Sequence, residues 1–337
     1  MRLPLLSILV IGHWSLVISA AAAPAAADVV HYDFPSGSTL APQNGWTFAR
    51  PDWPLAPLPG GTGPAMPFTF AGNLPGEDGW SEHRFTMPAA DEFWIRLRWH
   101  VPANFHHRAD TRLEIADAHA AGWRDATSQA AISRLTPTTV HLRDAPLSYR
   151  NDVWVGPLLN VTRSTTLAST ARQREPVNNK LLAVWCDDYS RHGLGPTIVW
   201  QTDHWKDGTQ DVILTVGYST GNRTVTGPVV DGGLLLTPAD RGKFIDLIFH
   251  GKFSTSPGAN DGIIRSWVRK KNQPAYIAFH NITDARLDKP SAVPASEQFW
   301  KRGYLMGWSN SGFDQETTFH LSQIEYYQSR PAALPSP

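Results

Sequence analysis

The sequence predicts an all-β protein, a sandwich or barrel of short strands. Three observations predict it. The 337 residues include 27 Pro, 26 Gly and 14 Trp, a composition rich in turn formers and rings that suits short strands better than helices. From residue 92 onward, runs of β-branched and aromatic residues alternate with turn signals. After residue 180 no stretch keeps a helical period, and regular strands without helices imply sheet packed on sheet or closed on itself. The length suits one large domain or two ordinary ones, with ample material for a core. Thirty Lys+Arg balance 30 Asp+Glu, which argues against a protein that coats nucleic acid. Charged residues at 18% and hydrophobic ones at 42% exclude an acidic disordered chain and a membrane bundle. The single cysteine, Cys186, excludes an intrachain disulfide framework and a multi-cysteine zinc site.

Taken in order, residues 1–27 read as a signal peptide. Arg2 supplies the charge, Leu3 to Ile18 the apolar stretch, and the alanines before residue 28 the small-residue cleavage zone. Pro4 and His13 interrupt a segment already short for a membrane span. The expected location is therefore secreted or periplasmic, with no membrane contact after cleavage. One domain is expected over 28–328, opening with an irregular lead-in to residue 80 that carries Pro51, Pro54, Pro57, Pro59, Gly60 and Gly61. Strands are expected at 92–101, 180–187, 196–204, 210–218, 242–254, 262–270, 274–282, 300–309 and 317–327. The Ala-, Ser-, Thr- and Arg-rich stretch 115–177 reads as an irregular, partly disordered insertion, with one short helix a candidate over 115–133. Residues 329–337 read as a flexible tail.

Alternation at period two divides each strand into two faces. In 92–101, Phe93, Ile95, Leu97 and Trp99 share one face, and Trp94, Arg96, Arg98 and His100 the other. In 244–254, Leu247, Phe249 and Phe253 oppose Asp246, His250 and Lys252. In 262–270, Ile264 and Val268 oppose Arg265, Trp267 and Arg269, while Tyr304, Met306 and Trp308 share a parity in 300–309. Two readings stand. The polar faces are ordinary solvated surfaces, where Lys and Arg belong. Alternatively, they line one trough whose cations pair with carboxylates and whose rings stack on sugars. The excess of Arg and Lys over Asp246 and Glu92 on these strands, in a chain of zero net charge, favours the second.

The run FIDLIFHGKFS, then DGIIRSWVRKK, then FWKRGYLMGW and the closing FHLSQIEYY resemble the concanavalin A-like jelly roll. More narrowly they are similar to its polysaccharide-lyase branch, which includes glucuronan, alginate and heparin lyases. The matching motifs are Phe244 to Ser254, Gly262 to Trp267, and Lys301 to Tyr304, and the resemblance spans roughly 75–110 and 178–328. It implies a jelly-roll β-sandwich of two antiparallel sheets. Arg302 and Leu305 depart from the small residues that the branch carries around its tyrosine, and its Gln-x-His signature has no clean match.

β-Elimination on a uronate needs a neutralised carboxylate, a base for the C5 proton and an acid for the leaving oxygen. The resemblance implies Tyr304 first and His250 second for the proton steps. It implies Arg96, Arg98, His100, Lys252, Arg265, Trp267, Lys301 and Trp308 as substrate-binding residues, with Asn178, Asn179 and Lys180 able to help. The expected function is an exported polysaccharide lyase-like protein that cleaves or binds an acidic, uronate-containing polysaccharide, acting as a monomer. A non-catalytic carbohydrate-binding or adhesion module of the same fold is the alternative, and a purely structural sandwich a third. No paired-carboxylate motif supports glycoside hydrolysis, and no Gly-x-Ser-x-Gly elbow supports a serine hydrolase. No cofactor is expected. The resemblance allows a structural Ca²⁺, for which Asp187, Asp188 and Asp211 are candidates.

Overall fold

The computed structural model describes residues 29–34, 39–61, 63–72, 79–105, 178–186, 189, 195–204, 212–219, 230–309, 313, 315–327 and 329–335, together with six short strands between residues 112 and 174. Its elements are β1 (Val29–Tyr32), β2 (Thr47–Phe48), β3 (Ala56–Pro57), β4 (Pro64–Phe70), β5 (Gly79–Ala90) and β6 (Glu92–Val101). The short β7 (Arg112–Ile115), β8 (Ala131–Leu135), β9 (Val140–Arg143), β10 (Ser148–Arg150), β11 (Val153–Val155) and β12 (Ala171–Arg174) follow. Then come β13 (Asn178–Trp185), β14 (Thr197–His204), β15 (Val212–Ser219), β16 (Val230–Leu236), β17 (Lys243–Lys252), β18 (Gly262–Lys270), β19 (Ile277–Ala285), β20 (Trp300–Ser309) and β21 (Thr317–Tyr327).

Two large antiparallel sheets make a jelly-roll β-sandwich. One has eight strands in the order β19-β18-β17-β6-β21-β4-β3, with β1 also on β21; the other has seven, in the order β16-β15-β14-β13-β20-β5-β2. No α-helix occurs among the described residues. Each of the nine expected strand regions holds a strand of the sandwich, with ends shifted by at most three residues.

The structure adds detail to three expectations. The lead-in is not wholly irregular: β1 to β4 lie within it, and β5 runs twelve residues from Gly79. In β5 a strict alternation buries Ser81, His83, Phe85 and Met87, a signal hidden by the small and polar residues among them. The stretch 115–177 contains strands, which join β7 in a four-stranded sheet and a hairpin of β8 with β9. The short helix expected there falls on strand at residues 115 and 131–133, and residues 116–130 lie outside those described, as does the signal segment 1–27. The tail is seated over Pro331–Pro335, with Pro331 and Leu334 buried.

The core lies where the two sheets face each other. Phe93 of β6 meets Trp300 of β20 edge-on at 5.5 Å and Trp200 of β14 at 6.4 Å. Phe249 of β17 packs at 4.9 Å from Trp200, and Phe253 stacks on Trp300 at 4.4 Å. These rings are almost wholly buried, and each contributes about 1.5–3 kcal/mol by leaving water. The inward residues of β6, β17 and β18 are the apolar parity that the sequence shows: Ile95, Leu97 and Trp99 beside Leu247 and Phe249 beside Ile264 and Val268.

Candidate functional site

Once the core claims one parity, two outward faces remain, and the expected site residues divide between them. Arg96, Arg98, His100, His250, Lys252, Arg265 and Trp267 stand on the outer face of the eight-stranded sheet. Lys301, Tyr304 and Trp308 belong to β20 of the seven-stranded sheet. The single trough that would hold all of them does not form, because the hydrophobic core stands between the two sets.

On the eight-stranded sheet, register brings the cations together and then satisfies them. One row runs Glu325, Arg96, Ile248, Trp267; the next runs Tyr327, Trp94, His250, Arg265. The Arg96 guanidinium donates to Glu325 at 3.0 Å and to Asp246 at 3.1 Å. Burial opposes its charge, but Tyr276, Asp246 and Glu325 together hold its pKa above the ordinary arginine value. Arg269 donates to the other Asp246 oxygen at 2.5 Å. Glu325 is 3% exposed, so losing Arg96 would strand a buried carboxylate at a cost of about 3–5 kcal/mol.

His250 has no exposed surface; it stacks on Trp94 with ring centroids 3.6 Å apart, and its Nε2 lies 2.8 Å from Glu92 Oε1. Burial lowers its pKa, and the hydrogen bond and charge of Glu92 pull the other way. Trp267 is also fully buried, in an apolar cluster with Trp94, Ile248, Tyr276 and Leu334. Neither ring is open to a substrate, so the expectation that both line a binding surface is not met. Lys252 lies 3.4 Å from Glu92, Arg265 donates to Asn281 at 2.8 Å, and His100 is 8% exposed beside Phe244. Arg98 is exposed, and the Lys252 side chain is nearly half open beside Glu92. The sequence count missed this neutralisation because Glu325 arrives from a strand far along the chain.

The outer face of the seven-stranded sheet is arranged differently. Tyr304 sits in register between Arg84 of β5 and Ala183 of β13, and Trp308 sits opposite Trp80. Trp80 is 60% and Trp308 41% exposed, two of four large hydrophobic side chains left open among the described residues. Between Tyr304 and Trp308 the strand kinks: Met306 has φ 55° and Gly307 φ 131°. A β-carbon on Gly307 would lie 2.9 Å from the Tyr304 ring, so the glycine makes the seat for that ring. The kink turns Met306 into the core, against the parity that groups it with Tyr304 and Trp308.

Tyr304 itself is 1% exposed, packed with Trp185, Ala183, Tyr189 and Val199. Its hydroxyl donates to the Tyr189 hydroxyl at 3.3 Å. Burial raises its pKa, the charge of and hydrogen bond with Tyr189 adding to it, so the phenol is firmly protonated at neutral pH. In that neutral form the group available at Tyr304 is a proton donor. Arg84 is half exposed and bonded to Glu82 at 2.7 Å, and Arg302 stands two pairs along from Tyr304, opposite Thr86 and Trp185. Lys301 is held by Glu297 through an ion pair. Of the helpers, Asn179 is buried and Lys180 pairs in register with Gln201. Sequence reasoning missed Trp80, Arg84 and Tyr189; Trp80 and Arg84 were legible as one face of an alternation from residue 79.

Among the described residues no group of three His, Cys, Asp or Glu is placed to hold a metal ion. Asp187, Asp188 and Asp211 lie outside those residues.

No protein-family model matches the chain, and no curated protein matches it. Among solved structures it is similar to a mutant of the alginate lyase Aly36B in complex with alginate trisaccharide, at 8% identity over 91% of this chain and 100% of that one, with a TM-score of 0.48. It is also similar to a legume lectin-like domain from Entamoeba histolytica, at 7% identity over 85% and 91% of the two chains, with a TM-score of 0.36. Lectin I-B4 from Griffonia simplicifolia stands at 8% identity over 89% and 98%, again with a TM-score of 0.36. These are likenesses of backbone shape, and no residue's role passes from those proteins to this chain.

Proposed function

We propose that this chain is an exported carbohydrate-active protein that engages an acidic polysaccharide on the outer face of the seven-stranded sheet. The observation that carries the reading is the facing pair Trp80 and Trp308, both open to solvent on adjacent strands, with Arg84 and Arg302 on the same two strands. Large exposed rings are costly to leave in water unless something covers them. Flat rings suit the C–H faces of sugars, and guanidinium groups suit their carboxylates.

If the protein cleaves its ligand, the chemistry is elimination. A base removes the C5 proton, the electron pair forms the C4–C5 double bond, the C4–O bond breaks, and the leaving oxygen takes a proton. Tyr304, kept neutral by burial, fits the last of these steps. Binding without cleavage is the second reading, and one observation favours it: the Tyr304 hydroxyl is buried and already bonded to Tyr189.

Migration through gels containing alginate, glucuronan, heparin or neutral dextran tests both. Retardation by an acidic glycan is expected, weakened about tenfold or more in Trp80→Ala and Trp308→Ala with thermal stability unchanged. Unretarded migration in every gel, or unaltered retardation of both variants, removes the proposal. A rise in absorbance from the new double bond that Tyr304→Phe abolishes supports the lyase reading; retardation with no such rise leaves the binding module.

A further inference from the structure

The edge of β21 carries a second feature, on the other sheet and independent of the surface just proposed. Two short strands share that edge. β4 pairs with it from Thr317 to Leu321, and β1 takes over from Ile324 to Tyr327. Ser322 and Gln323 fall between them and have no strand partner on that side. On the opposite side, against β6, the register shifts between Leu321 and Gln323, so Ser322 is the extra residue of a bulge. An open cleft of about 310 Å³ occupies the gap, lined among others by Asp33, Phe34, Arg98, Ser322 and Gln323. That volume is at the small end of sites that hold small molecules.

The chemistry of the lining is mixed. Arg98 is exposed; its guanidinium lies over the Phe244 ring at 5.1 Å and makes no ion pair among the described residues. It differs in this from Arg96, which stands on the same face two residues earlier and is held by two carboxylates. The Ser322 hydroxyl is buried without a hydrogen-bond partner, a state that native proteins seldom leave unexplained. The Gln323 amide donates to Glu325, which leaves its carbonyl oxygen as an acceptor. Asp33 adds a second acceptor, and Phe34 an apolar wall.

We propose that this cleft binds a small sugar acid. The carboxylate would lie on the Arg98 fork, whose flat geometry matches it with two parallel hydrogen bonds. The hydroxyl groups would meet Asp33 and Gln323, and the C–H face would rest on Phe34. A ligand with no carboxylate leaves Arg98 without an anion, and one with no hydroxyls leaves the acceptors unused.

Titration calorimetry on the full chain tests this with D-glucuronate, D-glucose and acetate as probes. Saturable binding of glucuronate is expected, at least about tenfold tighter than either control, and Arg98→Ala should weaken it about tenfold or more. Arg98→Ala should leave retardation in acidic-glycan gels unchanged, because the surface proposed for that lies on the opposite sheet, so this site and the polysaccharide surface succeed or fail separately. Arg98 is exposed, and an unaltered unfolding midpoint in Arg98→Ala checks that the variant folds. No saturable binding, equal binding of glucose, or full affinity in Arg98→Ala would each overturn the proposal.

Discussion

A β-carbon on Gly303 would sit 2.4 Å from the Phe85 ring and 2.5 Å from the Ala183 carbonyl oxygen, contacts that real side chains do not make. The glycine of the Lys301–Tyr304 motif is therefore a packing residue, which lets β20 lie between β5 and β13 with the Phe85 ring against its backbone. Gly303→Ala should destabilise the protein by about 1–3 kcal/mol through overpacking, visible as a lower urea midpoint with an unchanged slope. A midpoint equal to that of the parent would show that the Phe85 ring turns aside at no cost. The motif is readable in the sequence, but this reason for it is not. Spacing shows a small residue next to a tyrosine, and only the neighbouring strands show what fills the missing side chain's place. Tyr304 repeats the lesson, since its position on an outward parity is legible while its burial under Trp185 and Tyr189 is not.

At the scale of elements, the C-terminal segment changes what the eight-stranded sheet presents. Leu334 enters the cluster of Trp94, Ile248, Trp267 and Tyr276. A turn closed by Leu334 N–H to the Pro331 carbonyl at 3.2 Å shapes the segment, and Arg330 donates to the Leu334 carbonyl at 2.9 Å. A face that would otherwise expose indole rings is thereby sealed. Leu334→Ala should cost about 2 kcal/mol, at the low end for a buried leucine because the segment can settle into the space. Urea unfolding followed by tryptophan fluorescence measures it; a loss below about 0.5 kcal/mol would mean that the segment only rests on the sheet. The sequence gives no warning of this contact. One leucine among prolines and alanines has no period, and docking depends on a patch assembled from three strands and a loop. Strands such as β17 and β18, by contrast, are fully legible, because alternation of Leu247 and Phe249 with Asp246 and His250 reports the core directly.

Across the whole molecule, buried histidines couple folding to pH. His83 has no exposed surface, and its Nε2 accepts the Arg50 backbone N–H at 3.2 Å, which requires the neutral ring. Burial first, and the charge of Arg50 second, bring its pKa down to about 4 from 6.5. His100, His250 and His320 are lowered as well, each chiefly by burial. A base with a depressed native pKa binds more protons when unfolded, so its contribution is fully present above pH 6.5 and is lost as pH falls toward the native value. For His83 the shift corresponds to about 3 kcal/mol. Unfolding free energy should therefore drop between pH 6.5 and 4, and His83→Phe should flatten part of that slope. A parent curve level over that window would refute the assignment.

Local pattern alone decides that this chain is all-β, where nine strands of its two large sheets run, and which side chains of strands such as β6, β17 and β18 face the core. Those properties follow from the two-residue repeat of a strand and from turn chemistry, both written in neighbouring residues. Which of the two outward faces a polar side chain occupies is settled only by tertiary structure, as is whether Arg96 meets carboxylates while Trp80 and Trp308 stay open. A sandwich has two outer faces with the same alternation, and strands distant in sequence are assigned to one or the other by pairing. The partners that neutralise, bury or expose a residue therefore come from elsewhere in the chain.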